Sequence, residues 1–419
     1  MKKNKILVIA DSPLAPSGVG TQTKYMIESM LETGEFQFYC LAGAIKHLDY
    51  RIQKVEPWND DFKIKPVDGY GDPNLIRSIL RDYKPDVIWF MTDPRFFVWL
   101  WSIENEIRPN VPMVYYHVWD NYPYPKFNKK FYDSNDVICT ISKVTDDIVK
   151  NVSPEVKSIR IPHTVDTSVF KKINSTDEKL RIRKAISESK PEKTIFFWNN
   201  RNARRKQSGS LIFWFKEFLD IVGHDNACLV MHTEPRDPNG QDLVAIIEEL
   251  GLINGEVCLS TQKLPPEELA NIYASVDCTI NISDAEGFGL GTLESLACET
   301  PIIVNMTGGL QEQVTNGKDW FGIGIEPSSK AIIGSQDVPW IYEDRICKAD
   351  FIDSLLKFYN MPQKEKEKLG KNGRAHVLEN YSLSQYSSMW GDLFHDVIKN
   401  HGSWENRKNY VSWRFKEIK

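Results

Sequence analysis

VDCTINISDAEGFGLGTLESLACETPIIV, residues 276–304, passes from an apolar strand through a glycine-rich turn into a helix and out into a second apolar strand. Its centre, EGFGLGTLE (286–294), sets Glu286 and Glu294 eight positions apart around three glycines. The same alternation extends along the chain. KILVIA, FQFYCLA, DVIWFM, VPMVYYH, DVICTIS and SIRIP read as strands in the first part, and TIFFWNN, ACLVMH, EVCLS, DCTINIS and PIIVNM in the second. Helix-length segments separate most of them. Near-continuous apolar strands divided by helices are the pattern of parallel sheets covered on both faces, so the sequence predicts two doubly wound α/β units. The break follows PHTVDTSVF (162–170), where the charged run KKINSTDEKLRIRKAISESKPEK has no strand pattern. Domains are expected over 1–175 and 190–385.

Bulk properties agree with two soluble domains. A chain of 419 residues exceeds what one core ordinarily supports. With 41% hydrophobic and 26% charged residues and a net charge of −5, a surface devoted wholly to nucleic acid is excluded, though local basic patches are not. The start, MKKNKILVIADSP, has too short an apolar run for a signal core or a membrane span, and a cytoplasmic protein is expected. The seven scattered cysteines read as buried free thiols, with neither a disulfide framework nor a metal site. FFVWLW (96–101) reads as a buried helix in preference to a membrane contact, and the basic aromatic tail NRKNYVSWRFKEIK as a solvated or packing helix. No 20–50-residue period repeats.

The two glutamates raise the question of acid/base chemistry. A helix opening near Gly289 and ending before Pro301 puts Leu290, Leu293, Leu296 and Ala297 on an apolar arc, with Glu294 beside Leu290 and Ala297. An unpaired charge there is costly, so the carboxylate is expected to meet either a buried cation or a bound ligand. The glycines admit close backbone approach, and a helix N-terminus after a strand is a ready phosphate site. Glu294 lies about 7 Å along the axis and Glu286 up to about 10 Å away along the loop. That separation suits the two ends of an extended ligand better than a glycosidase pair, whose carboxylates flank one bond at about 5–9.5 Å.

A diphosphate leaving group needs positive charge. The chain has no Asp-x-Asp triplet, and Asp284-Ala285-Glu286 is the nearest approach to a metal motif. NNRNARRKQ (199–207) instead places Arg201, Arg204, Arg205 and Lys206 at the carboxyl end of a strand, as a phosphate clamp or as a solvated loop. In the first domain Gly18 and Gly20 form a GxG after the first strand, but Thr23 stands at the third glycine position of a dinucleotide fingerprint, so a nicotinamide cofactor is not expected. Backbone amides of that loop are expected to approach a ligand. His117 ends VPMVYYH, at a strand end where either a structural or a functional histidine fits.

Together these segments resemble the retaining GT-B glycosyltransferases, in particular the large family 4. EGFGLGTLESLACETPII is similar to that family's E-x7-E element, Arg201 and Lys206 to its R-x4-K pair, PHTVDTSVF to its interdomain junction, TGGLQEQV to its GG-x-x-E loop and Ser17-Gly18-Val19-Gly20 to its N-terminal glycine loop. The resemblance implies a GT-B fold, two Rossmann-like domains facing each other across a cleft, with a final helix and tail (386–419) returning to the first domain. It implies that Arg201 and Lys206 hold the donor diphosphate, that Glu286 with Gly287 and the amides of Phe288, Gly289 and Leu290 holds sugar and phosphates, that Glu294 takes the ribose hydroxyls, and that His117 lies near the reacting sugar. Gly18 and Gly20 join the donor-binding set, and no metal or cofactor is required. His163-Thr164 departs from the usual Asn-Gly of the junction, and Gly291 stands where proline is frequent.

The expected function is metal-independent, retaining transfer of a hexosyl or pentosyl group from a nucleotide-diphosphate sugar to a hydroxyl. Glycan, lipid-linked and small-molecule acceptors all fit. NYPYPKFNKKFY (121–132), interleaving Tyr122, Tyr124 and Phe127 with Lys126, Lys129 and Lys130, keeps a nucleic-acid acceptor such as a hydroxymethylated DNA base open. A nucleotide-sugar-binding protein without transfer, or an epimerase of the same fold, is the reading from a different class. Peripheral membrane contact and oligomeric state stay open.

Overall fold

In the computed structural model, which describes residues 2–188 and 190–411, the chain divides into two compact units. One comprises the residues up to Thr164 and those from Leu383 on, the other Val165–Ser382. The first holds strands β1 (Asn4–Asp11), β2 (Phe36–Gly43), β3 (Gln53–Val55), β4 (Asn59–Pro66), β5 (Val87–Met91), β6 (Met113–His117), β7 (Val137–Thr140) and β8 (Lys157–Arg160). They form one sheet in the order β3-β4-β2-β1-β5-β6-β7-β8, parallel except where β3 meets β4. The central strands β5 and β6 are buried along their whole length, which is why they read as unbroken apolar runs.

The helix Leu383–His401 covers this same sheet. Trp390 is fully buried, with its ring centroid 5.7 Å from that of Trp89 and 4.9 Å from that of Tyr116. The Tyr386 hydroxyl donates to the Gln22 carbonyl at 3.1 Å. The following residues also pack down: Trp404 Nε1 donates to the Pro85 carbonyl at 2.9 Å, and Arg407 reaches the buried Asp136 carboxylate at 2.7 Å. The described part of the tail expected as a solvated or packing helix is not helical: only its first residue, Asn406, belongs to a short 3-10 turn, Trp404–Asn406, and 407–411 form no helix; 412–419 lie outside the described residues.

The second unit contains β9 (Thr194–Asn199), β10 (Ala227–His232), β11 (Val257–Ser260), β12 (Cys278–Asn281), β13 (Ile302–Asn305) and β14 (Gly322–Ile325). These form a wholly parallel sheet, β11-β10-β9-β12-β13-β14. An antiparallel hairpin of β15 (Ser329–Ile333) and β16 (Ile341–Arg345) follows. Phe196 and Trp198 of β9 pack with Phe215 and Phe218 of the helix Ser208–Val222 and with Phe351 and Phe358 of the helix Lys348–Tyr359. Chain order reverses at β9, with β10 on one side and β12 on the other. Such a switch point opens a crevice at the carboxyl ends of the strands.

All eleven apolar runs are strands. The reading misses β3, β4, β14 and the hairpin. β4 alternates, with Phe62 and Ile64 buried and Lys63 and Lys65 between them, the pattern of a strand with one open face. FFVWLW is not one buried helix: a 3-10 turn (Pro94–Phe97) leads into the short helix Val98–Trp101, burying Phe97, Leu100 and Trp101 while Phe96 and Val98 are about half exposed. Among the described residues no disulfide joins the seven cysteines, and no helix is long and apolar enough to cross a membrane.

Because Trp390 fills the space against β5 and β6, Trp390→Ala should cost about 3–5 kcal/mol of stability, the range for emptying a large aromatic site. Urea denaturation followed by circular dichroism checks this, and a loss below 1 kcal/mol would contradict the packing described.

Candidate functional site

Two loops leave the carboxyl ends of the neighbouring strands β9 and β12 and are bonded to each other. After β9 the chain makes a 3-10 turn, Arg204–Lys206, and Gln207 takes a left-handed conformation (φ 57°) to start the helix Ser208–Val222. After β12 the chain runs through Asp284 and Glu286 to Gly289, whose φ of 89° suits glycine and sets the helix Leu290–Ala297 on its course. The Asp284 amide donates to the Arg205 carbonyl at 2.8 Å, Gln207 Nε2 to Asp284 Oδ2 at 2.6 Å, and Arg205 Nη1 to the Ala285 carbonyl. Lys206 Nζ closes the seam on Glu286 Oε2.

The Lys206–Glu286 pair is nearly enclosed, its side chains 8% and 13% exposed. Burial alone would raise Glu286, but the Lys206 and Arg205 cations outweigh it and hold the carboxyl below its ordinary value. Glu286 is therefore a charged acceptor at neutral pH. Asp284, two residues away, goes the other way: burial pushes it up to about 6 against the opposing Gln207 bond. Three contacts fix the loop behind the pair. The Gly309 amide donates to the Glu286 carbonyl at 3.0 Å, Gln313 Nε2 to the Phe288 carbonyl at 2.7 Å, and Asn281 Nδ2 approaches Glu286 Oε2 at 3.4 Å. No side chain caps the helix that begins at Leu290, so its positive end remains directed to the loop side.

Glu294 lies one turn into that helix. Thr292, Leu293, Ser295, Leu296 and Ala297 are buried, while Leu290, Gly291 and Glu294 form a half-buried stripe. The helical wheel thus placed Glu294 correctly beside Leu290, but that stripe is the open side of an otherwise enclosed helix. Its partner is the Tyr273 hydroxyl and not a cation; burial pushes the carboxyl up to about 7, with the Tyr273 bond opposing the rise. Tyr273 in turn accepts from Asn199 Nδ2 at 2.8 Å. Sequence reading passed over Asn199, Tyr273, Gln207 and Glu343. The first two occupy a strand end and a helix whose apolar neighbours hide them, and no spacing rule links them to Glu294.

The remaining expected residues are placed as follows. Arg201, 64% exposed, pairs with Asp237 at 2.7 Å and so is engaged outside the Lys206–Glu286 seam. Arg204 pairs with the buried Glu343 of β16. In the first unit, Gly18 opens the helix Gly18–Glu32 and the Gly20 amide is capped by Ser17 Oγ at 3.0 Å. A Cβ on Gly20 would lie 2.6 Å from the Ser12 carbonyl oxygen. The space at Gly20 is therefore filled by the loop's own backbone, and its amide is engaged by Ser17. His117 is fully buried. Its Nε2 meets the Tyr132 hydroxyl at 2.6 Å, its Nδ1 has no hydrogen-bond partner, and burial pushes its pKa down to about 3, leaving the ring neutral.

At the junction, Gln22 Nε2 donates to the Thr164 carbonyl at 2.8 Å and Gln22 Oε1 accepts the Thr164 amide at 2.9 Å, so His163-Thr164 is held by a side chain where glycine is the family's choice. Segment 121–132 is largely engaged: the Tyr122 and Tyr124 hydroxyls donate to Asp147 at 2.9 and 3.1 Å, and Lys129 pairs with Asp133. Among the described residues no group of three His, Cys, Asp or Glu side chains is arranged as a metal site.

With this geometry in place, comparison with known proteins is informative. Residues 181–376 match the family described as "Glycosyl transferases group 1". A stretch of 90 residues is 39% identical to D-inositol 3-phosphate glycosyltransferase of Corynebacterium jeikeium, covering 21% of this chain and 21% of that protein. N-acetyl-alpha-D-glucosaminyl L-malate synthase of Bacillus anthracis is 22% identical over 271 residues, 64% of this chain and 61% of the relative. The match to the first of these relatives thus spans about a fifth of its length. Among solved structures, sucrose-phosphate synthase of Thermosynechococcus elongatus superposes with a TM-score of 0.74 at 16% identity, over 95% of this chain and 100% of that one. Anabaena HepE in complex with UDP-glucose gives a TM-score of 0.68 at 15% identity, over 94% and 99% of the two chains. This protein therefore has the GT-B fold, and its residues 181–376 match the glycosyl transferases group 1 family.

Proposed function

We propose that this protein transfers a sugar from a nucleotide-diphosphate sugar to an acceptor hydroxyl with retention. The observation that carries the reading is the enclosed Lys206–Glu286 pair at the switch point of a parallel sheet, beside an uncapped helix N-terminus. The ammonium of Lys206 stabilises the charge growing on the departing diphosphate. The helix terminus adds its dipole, and both are in place before reaction, which is how such groups lower a barrier. With fixed positive charge supplied by the chain, no step is assigned to a metal. Glu286, kept ionised by Lys206, accepts hydrogen bonds from sugar hydroxyls, with Gly287 and the amides of Phe288, Gly289 and Leu290 closing on sugar and phosphate.

Glu294 accepts the ribose diol. Arg201, bound by Asp237, joins the diphosphate by exchanging one anion for another. His117, neutral and with Nδ1 unpartnered, is fully buried in the first unit and carries no charge. The relatives support the reading in kind: two are named as a glycosyltransferase and a sugar-malate synthase, and one structural neighbour is in complex with UDP-glucose. A glycan, lipid-linked or small-molecule hydroxyl is the proposed acceptor.

Two outcomes are expected. Lys206→Ala should lower turnover about 10²–10³-fold, the usual loss on removing one preorganised stabilising group, measured by mass spectrometry with UDP, GDP and ADP sugars and a mixed acceptor pool; near-normal turnover refutes the assignment. Because Glu294 titrates near 7 and its ionised form is the stronger acceptor, nucleotide affinity should rise between pH 6 and 8. Glu294→Gln should bind more weakly and lose that rise, as calorimetric titration would show.

A further inference from the structure

Tyr273 has no part in the roles given above, yet it sits between two of the site's strands and helices. It lies on the helix Pro266–Ser275 and is fully buried. Its ring packs edge-on against Phe197 at 5.1 Å, and the Thr300 hydroxyl donates to its backbone carbonyl at 2.6 Å, so the side chain has little freedom to move. Its hydroxyl bridges Asn199, the last residue of β9, and Glu294. An amide nitrogen only donates. With Asn199 Nδ2 giving its proton to the tyrosine oxygen at 2.8 Å, the tyrosine's own proton is directed to Glu294.

Gly291 completes the arrangement. A Cβ there would stand 2.9 Å from the Tyr273 hydroxyl oxygen and 3.2 Å from the Asn199 carbonyl oxygen. The first turn of the helix thus leaves to the tyrosine a volume that any other residue would contest, at the position where the resemblance leads one to expect proline.

We propose that Asn199 and Tyr273 are positioning residues: through one directed hydrogen bond they fix the rotamer of Glu294 and leave its remaining lone pairs aimed at the vicinal diol of a bound nucleotide. This rests on the reading of Glu294 as the diol acceptor. A carboxylate offers about four acceptor positions; engaging one on a rigid donor orients the rest. The same bond favours the ionised form. The groups that face Glu294 are the Tyr273 hydroxyl from the neighbouring helix and, on its own helix, the Cys298 thiol. Removing the hydroxyl removes the interaction that opposes the burial of Glu294, so its titration must move to higher pH.

The test uses the full chain and the tightest binder among UDP, GDP and ADP, together with its 2′,3′-dideoxy counterpart. In the wild type the ribose form should bind at least about tenfold more tightly at pH 7.5, a factor expected of a charged acceptor left unpaired by the missing hydroxyls. Tyr273→Phe keeps the ring and its packing; it should lose most of this discrimination, leave dideoxy binding unchanged, and move the midpoint of the pH-dependent rise in affinity to higher pH. A role confined to packing would move neither. If the wild type discriminates and Tyr273→Phe keeps both the discrimination and the midpoint, the positioning role is overturned and Glu294 stands as the diol acceptor. If no nucleotide binds, or the wild type does not discriminate, the assignment of Glu294 fails and this inference with it. Should Tyr273→Phe not fold, Asn199→Ala frees the tyrosine oxygen and must show a smaller shift in the same direction; unchanged values in that variant overturn the proposal.

Discussion

The salt bridge between Lys206 and Glu286 is the constraint around which the second unit's site is arranged. Two charges taken out of water need each other and every available hydrogen bond, and removing either leaves the other stranded at a cost of about 3–5 kcal/mol. The pair therefore ties the geometry of two loops to the stability of the unit. Because β9 and β12 are neighbours in the sheet, the loops that follow them emerge side by side. The lysine has to come from one and the glutamate from the other, and the backbone bond from Asp284 to Arg205 fixes the register between them. The helix starting at Leu290 is placed by this seam.

From the same seam comes a division of labour between two identical side chains. Glu286 sits against cations and is kept ionised. Glu294, eight residues further on and one turn into the helix, sits against a phenol and is pushed up to about 7. Environments that drive two carboxyls apart are often how an acid and a base are told from one another. Here the pattern has another meaning, because the low member is locked in an ion pair and the high member is bonded to a tyrosine, and neither is left to exchange protons with a common substrate atom. In the proposed reading both are acceptors, Glu286 for sugar hydroxyls and Glu294 for the ribose diol.

How much of this was legible in the sequence varied with the physics behind each feature. Strands buried on both faces announce themselves as apolar runs, so β9, β12 and β13 were plain. β4 was not, since one open face turns it into an alternation with lysines, and β14 was hidden because its sequence is half glycine. Lys206 and Glu286 were found because loops at strand ends with glycine and charge suggest phosphate chemistry. The partner of Glu294 was not, because a tyrosine inside an apolar helix looks like core, and here it is core with one polar atom turned to use. Arg201 shows a different limit. Its type and spacing say cation for phosphate, and sequence distance does not reveal that Asp237 is near enough to hold it. Gly20 shows that a glycine needed for close approach does not say what approaches; its neighbour is the loop's own carbonyl.

The hairpin carries this argument one step further. No motif signals β15 and β16, yet Glu343 takes Arg204 from the loop after β9, the Asp344 amide donates to the Asp284 carbonyl at 2.9 Å in the loop after β12, and the Thr307 hydroxyl after β13 donates to Asp344 at 2.8 Å. Asn305, the last residue of β13, donates to the carbonyls of both Ser283 and Asp344, at 2.9 and 2.7 Å. One short strand thus bonds to the loops of three successive sheet positions. A cation that must stabilise charge in a transition state does so best when its surroundings need not reorganise, and a site is only as well placed as the residues that hold its first contacts. Arg204, which stood in the expected phosphate cluster, and Asp284, in the nearest approach to a metal motif, act in this structure as the anchors of that support. Their neighbours Lys206 and Glu286 pair with each other in front of it, held in register by contacts that never need to touch a ligand.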